Sequence, residues 1–219
     1  LKTILKNSNM IDNAYDIPNN IFFRGRISES FISHWDMFHI PFNKRYCITN
    51  QRYSLGGQPL LYLASSPYCV VSELNTTKNL RIASFRLKKI HKLKLFNSTN
   101  IISNLAQSDN SKSNVKKINY MLNKYLINKY DITELFYKSI LANCCSFEIH
   151  RELGNFSFKE EYILPQILAQ VLKELKFDGI MYTSTKSYSD SLVNDNYEYL
   201  KDLYVNYCIF TKYNVNNYK

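Results

Sequence analysis

The sequence predicts an α+β fold, with strands gathered in sequence and helices set between them, rather than a doubly wound sheet. Two observations lead there. Short apolar runs bounded by turn residues crowd the first hundred positions, whereas segments with helical periodicity fill the middle. The chain is also 45% hydrophobic and 21% charged, the balance of a globular domain with a core of its own.

In chain order, Ile21-Phe22-Phe23-Arg24-Gly25-Arg26 reads as a strand that delivers Arg24 and Arg26 to one face. Tyr46-Cys47-Ile48-Thr49 reads as a short second strand, and Leu60-Leu61-Tyr62-Leu63-Ala64 as a third, apolar on both faces. Ser66-Pro67 then opens a helix, with Ser at the N-cap and Pro at the first helical position. It runs to about Asn75, with Val70, Val71 and Leu74 as its core stripe and Glu73 at the border of that stripe. Leu80 to Leu87 and Leu93 to Phe96 return to strand. Asn97 to Asn114, rich in Asn and Ser, reads as a loop inserted within one domain. Two or three helices follow between Val115 and Cys144. A residue before proline resists the α region, which places the next helix from Pro165 to Leu175. Ser157-Phe158-Lys159-Glu160 offers a capping box for an earlier start. Gly179 to Ser184 and Val205 to Phe210 are the last strands.

Composition narrows the function classes. The net charge of +10 favours an anionic partner, whether nucleic acid, nucleotide, membrane surface or acidic protein. The lysines are scattered, however; the clusters around Arg86 to Lys94 and Lys112 to Lys117 are modest and read as solvated faces. No apolar run approaches the ~18 residues of a membrane span. The first residues, Leu1 to Lys6, carry lysines with no apolar stretch behind them, unlike a signal peptide. The absence of an initiator Met fits a piece of a larger parent. Five cysteines (Cys47, Cys69, Cys144, Cys145, Cys208) form no CxxC pair and no metal spacing. They read as buried free thiols of a reducing, cytoplasmic protein.

Common chemical signatures are missing from the sequence. It has no glycine-rich phosphate loop, no HExxH and no GxSxG, and its four histidines are isolated. What remains are four segments dense in polar and aromatic residues. They are Phe23 to Arg26; Met37 to Arg45 continuing through Asn50 to Pro59; Leu61 to Ser66 with Glu73 beyond; and Glu161 to Gln166 followed by Phe177 to Ser184. Taken alone, Arg52 is as readily an ordinary salt-bridging residue, Glu73 one helix-border carboxylate among 18 acidic residues, and Ser184 a strand cap.

In order, these segments resemble the RES family, named for an Arg, a Glu and a Ser. Arg52-Tyr53 precedes Gly56 and the Leu61-Tyr62 strand, Glu73 follows on the next helix, and Ser184 closes Asp178-Gly179-Ile180-Met181-Tyr182-Thr183-Ser184. The resemblance spans about residues 21 to 210. It implies an ADP-ribosyltransferase-like split β-sheet core with flanking helices, in one catalytic domain over 21–219 with residues 1–20 as an N-terminal extension. It also implies an NAD-degrading toxin or defence effector that cleaves the nicotinamide–ribose bond as a glycohydrolase or phosphorylase. NAD would be the substrate, with no metal and no other cofactor. Catalytic roles are expected for Arg52, Glu73, Ser184 and Tyr53, and substrate binding for Arg24, Tyr62 and Tyr182.

Physical chemistry fits those roles. Cleavage of the bond passes through an oxocarbenium-like state, so the site needs a carboxylate near the ribose, for which Glu73 is placed. Arg52 and Arg24 suit the phosphates. Tyr53 is expected to stack on nicotinamide, and Ser184 to bond a phosphate or ribose oxygen. Family members are commonly held by an antitoxin. No segment here resembles one, so that partner is expected on a separate chain or outside this sequence. Two competitors stand beside this reading: an ADP-ribosyltransferase acting on a protein, and a non-enzymatic nucleic-acid-binding module. The second is disfavoured because the basic residues do not cluster with the aromatics.

Overall fold

A computed structural model describes residues 1–7, 21–87, 93–99, 132–147, 149, 159–186 and 201–213. Within them the chain forms an α+β fold built on one mixed six-stranded sheet. Its strands are β1 (Ile21–Ile27), β2 (Leu60–Ala64), β3 (Leu80–Arg86), β4 (Leu95–Asn97), β5 (Gly179–Thr183) and β6 (Val205–Phe210). Their order is β3-β1-β2-β6-β5-β4, antiparallel throughout except for the parallel pair β4–β5. The helices are α1 (Lys2–Asn7), α2 (Pro67–Leu74), α3 (Ile132–Cys145) and α4 (Ile163–Glu174). None is long and apolar enough to cross a membrane.

The sheet is unevenly joined. β1 pairs with β3 along seven residues and β2 with β6 along five, but β1 and β2 share one paired position, Phe23 with Ala64. The β3–β1 ribbon is therefore joined to the four strands beyond it by a single ladder pair.

Alternation along the strands divides the core. Leu60, Ile180, Cys208 and Phe210 face α4, where Leu168, Ala169 and Leu172 cover them, and Leu5 joins the same cluster. The intervening residues Leu61, Leu63, Met181, Val205 and Tyr207 pack with Phe22 in a second cluster. α2 lies on β1 through Cys69 and Val70, against Ala64, with Phe23, Leu74 and Leu80 at the margin. Gly25 permits that contact, because a Cβ there would fall 2.3 Å from Val70 Cγ1.

α2 starts and stops as its sequence dictates. The Ser66 hydroxyl accepts from Cys69 N at 3.0 Å, Pro67 opens the helix, and Asn75 closes it in the left-handed region at φ 50°. Its stripe shifts by one residue from expectation, since Cys69 and Val70 are buried while Val71 is only half-buried.

Two element expectations are corrected. Tyr46 to Thr49 is not a strand: Phe42–Cys47 forms a 3-10 turn entered from Pro41, and Tyr46 is 81% exposed. Four residues are too short a window to separate alternation from a turn. The fourth helix begins at Ile163, not Pro165, directly after a 3-10 turn over Glu160–Tyr162. Pro165 sits in the first turn, where an N–H would lack an intrahelical partner anyway. Most of the Asn97 to Asn114 loop, Ser157, His91, His150 and the helices expected over Val115 to Asp131 lie outside the described residues. Cys69, Cys145 and Cys208 are buried free thiols as expected, whereas Cys47 is exposed and Cys144 half-buried.

Candidate functional site

A cavity of about 650 Å3 opens where β1 and β2 part, walled by α2 on one side and by the loops around Arg52, Tyr162 and Thr185 on the other. Its size lies within the ~300–1,000 Å3 of small-molecule sites. Arg24, Arg52, Tyr62, Glu73, Tyr182 and Asn206 all line it, although they are scattered over more than 180 residues.

Glu73 is held from β6 and from the end of β5. One turn beyond Cys69 on α2, it faces the cavity, and its Oε1 accepts from Ser184 Oγ at 2.7 Å and from Asn206 Nδ2 at 2.5 Å. Lys186 Nζ donates to the Glu73 backbone carbonyl, near the C-terminal end of α2 where cations are favoured. Both side-chain donors fall on Oε1, which fixes the direction of the carboxylate; among the described residues, Oε2 accepts no hydrogen bond.

Arg52 sits in a tight turn in which Gln51 and Ser54 exchange backbone hydrogen bonds. Gln166 on α4 holds that turn by donating to Gln51 O at 3.0 Å and Ser54 O at 3.2 Å. Arg52 Nη1 donates to the carbonyls of Cys145 (2.8 Å) and Phe147 (3.0 Å), Nη2 reaches Thr185 Oγ1 at 3.5 Å, and the guanidinium lies 5.4 Å from the Tyr162 ring centroid. Half of its fork therefore tethers α3, and the remainder borders the cavity.

Arg24 also lines the cavity, with Nη1 buried and lacking a hydrogen-bond partner among the described residues. Burial first, and the neighbouring Arg26 charge second, lower its pKa to about 10. A buried cation with a donor to spare is suited to an anion.

The tyrosines divide. Tyr62 and Tyr182 line the cavity, and burial raises both hydroxyls well above the usual range, with the Glu73 charge adding to the effect at Tyr182. Tyr62 Oη also accepts from Tyr53 N at 3.2 Å. Tyr53 itself is wholly buried, 4.8 Å from the Tyr182 ring, and does not line the cavity. In this geometry it cannot stack on a ligand there, because it forms the floor beneath Tyr182. Ser184 is likewise wholly buried, so its hydroxyl orients Glu73 rather than meeting a ligand directly.

No family profile and no solved structure matches the chain. A Bacillus subtilis (strain 168) protein does. Described as "Putative toxin YopC", it is 34% identical over 197 residues, which is 86% of this chain and 40% of that protein. The chain therefore spans about two fifths of the length of the curated relative it matches.

Sequence reasoning missed Asn206, Tyr162 and Lys186. Asn206 carried a signal, as the single uncharged amide in the otherwise apolar strand Val205-Asn206-Tyr207-Cys208-Ile209-Phe210. Asp178 belongs to the quoted motif but works structurally: its carboxylate accepts from Lys94 N at 3.0 Å, and its backbone carbonyl from Phe210 N at 2.8 Å. It fastens β4, β5 and β6 at one corner. Among the described residues no cluster of His, Cys, Asp or Glu could hold a metal ion.

Proposed function

We propose that the chain is the catalytic domain of an NAD-degrading toxin or defence effector, acting at the nicotinamide–ribose bond. The observation that carries this is the Glu73 carboxylate, held through Oε1 by Ser184 and Asn206 at a cavity that Arg24 and Arg52 border, with no hydrogen bond to Oε2 among the described residues. The RES resemblance of Arg52, Glu73 and Ser184, and a sheet joined at β1–β2 by one pair, as a split ADP-ribosyltransferase-like core would be, support the same reading. The toxin description of the Bacillus subtilis relative agrees with it.

In this mechanism Arg24 and the cavity edge of Arg52 bind the pyrophosphate, the ligand competing with the long Thr185 contact, and Tyr62 and Tyr182 wall the sugar and base. The C1′–N bond breaks, and nicotinamide leaves as a neutral base with the bonding electron pair. Positive charge then lies on the ribose, where Glu73 Oε2 stabilises it. Water or inorganic phosphate adds to C1′ and releases a proton, giving ADP-ribose or its 1-phosphate. Loss of NAD would arrest growth. An antitoxin on a separate chain, or a regulatory domain outside this sequence, and a cytoplasmic site of action follow from the same reading.

The test is incubation of purified protein with NAD, with and without phosphate, alongside Glu73→Gln. Free nicotinamide that disappears in the variant is the expected result, and phosphate dependence distinguishes phosphorolysis from hydrolysis. Label from NAD appearing on a protein instead of as free ADP-ribose would mean transfer. Intact NAD in every condition would overturn the reading.

A further inference from the structure

Asn206, the second residue of β6, places a carboxamide in a strand that is otherwise apolar, 5% exposed, opposite Ala64 on β2 and Tyr182 on β5. An unsatisfied amide there would cost stability, yet both of its ends are used. Nδ2 donates to Glu73 Oε1 at 2.5 Å, while Oδ1 lies 3.3 Å from Cys69 Sγ, whose thiol donates to it. Those partners fix the amide's orientation. A carboxylate can only accept, so a flipped amide would set two oxygens against each other. Cys69 and Glu73 are one helical turn apart on α2, and the amide spans them. It ties α2, which rests on β1, to β6 on the far side of the gap in the sheet.

We infer that Asn206 is a positioning residue for Glu73: with Ser184 it occupies Oε1, fixes the rotamer and turns Oε2 to the cavity. The inference rests on Glu73 bearing the chemistry proposed above. Its consequence is kinetic rather than one of affinity, because Asn206 need not touch the ligand to aim the carboxylate. A charge-assisted hydrogen bond of this kind corresponds to about ten- to hundredfold in rate.

Asn206→Ala is expected to lower kcat for nicotinamide release by that factor with little change in KM. Asn206→Asp keeps the shape but sets a second carboxyl against Glu73. The pair would then titrate in two coupled steps, and the pH–rate profile would gain an ionisation absent from the parent. A readout independent of turnover is 13C NMR titration of side-chain carboxyls, with the Glu73 signal identified by its loss in Glu73→Gln. That signal should titrate differently in Asn206→Asp. If the parent protein leaves NAD intact while the Glu73 titration moves, the NAD reading fails and the positioning role stands. A folded Asn206→Asp with the parent's pH profile and Glu73 titration would overturn the inference. So would failure of the isosteric Asn206→Asp to fold, which would make the amide a folding determinant only.

Discussion

Replacing Gly25 with alanine tests whether the close seat of α2 on β1 positions the site. The added Cβ would lie 2.3 Å from Val70 Cγ1, 2.9 Å from Leu74 Cδ1 and 3.1 Å from Leu80 Cδ1. Carbon atoms pack best at about 3.5–4.0 Å, so α2 must lift by about 1 Å or Val70 must leave its rotamer. Overpacking of this kind costs about 1–3 kcal/mol, and in a protein of this size each kcal/mol lowers the unfolding midpoint by about 2–4 °C. Glu73 is three residues beyond Val70 on the same helix, and a shift of about 1 Å at a reacting group costs on the order of a hundredfold in rate. Thermal unfolding reads the first effect and, on the proposed activity, nicotinamide release from NAD reads the second. Combining Gly25→Ala with Val70→Ala removes the clashing methyl, so the double variant should be less destabilised than the sum of the single changes. A Gly25→Ala protein with the parent's midpoint and rate, or strictly additive stabilities, would refute the reasoning.

Other outcomes follow from burial and charge. Arg24, with its pKa lowered to about 10, binds its proton less tightly folded than unfolded at the ordinary 12.5. The ligand-free protein thus bears the cost of this charge at neutral pH and recovers it as pH rises between those values. Arg24→Met should raise the ligand-free unfolding midpoint, by on the order of 1 kcal/mol, and abolish stabilisation by added pyrophosphate; a lowered midpoint would sink this account. Burial pushes the Cys145 and Cys208 thiols up to about 12 and raises Cys69 as well, so thiolate is scarce at pH 8. Mass spectrometry after brief iodoacetamide treatment should find Cys47 alkylated and those three untouched, and labelling of Cys208 in folded protein would contradict the packing. Among the described residues the Tyr53 hydroxyl is buried without a hydrogen bond of good geometry. Tyr53→Phe should therefore keep stability within about 1 kcal/mol and leave the rate unchanged, whereas a tenfold loss of rate would return Tyr53 to the chemistry.

The sequence by itself determined the α+β class, strands β1, β2, β3, β5 and β6 to within a residue or two, and the start of α2. These are local matters: alternation of two, a Ser-Pro cap and a terminal Asn act on neighbours within a turn or a few rungs. It faltered where local signals are weak or permissive, as at Tyr46 to Thr49, and at Pro165, which the first turn of a helix tolerates. It also brought forward Arg24, Arg52, Tyr62, Glu73 and Tyr182, all of which line one cavity. Only the tertiary structure decided what each does there. Ser184 and Asn206 reach Glu73 across 111 and 133 residues of sequence, and no local pattern encodes which of two carboxylate oxygens they occupy. Tyr53 adjoins Arg52 in sequence, yet the turn sends one side chain to the cavity wall and the other into the core beneath Tyr182. Side-chain direction at a turn is set by long-range packing, here around the cavity that opens beside the single paired position of β1 and β2.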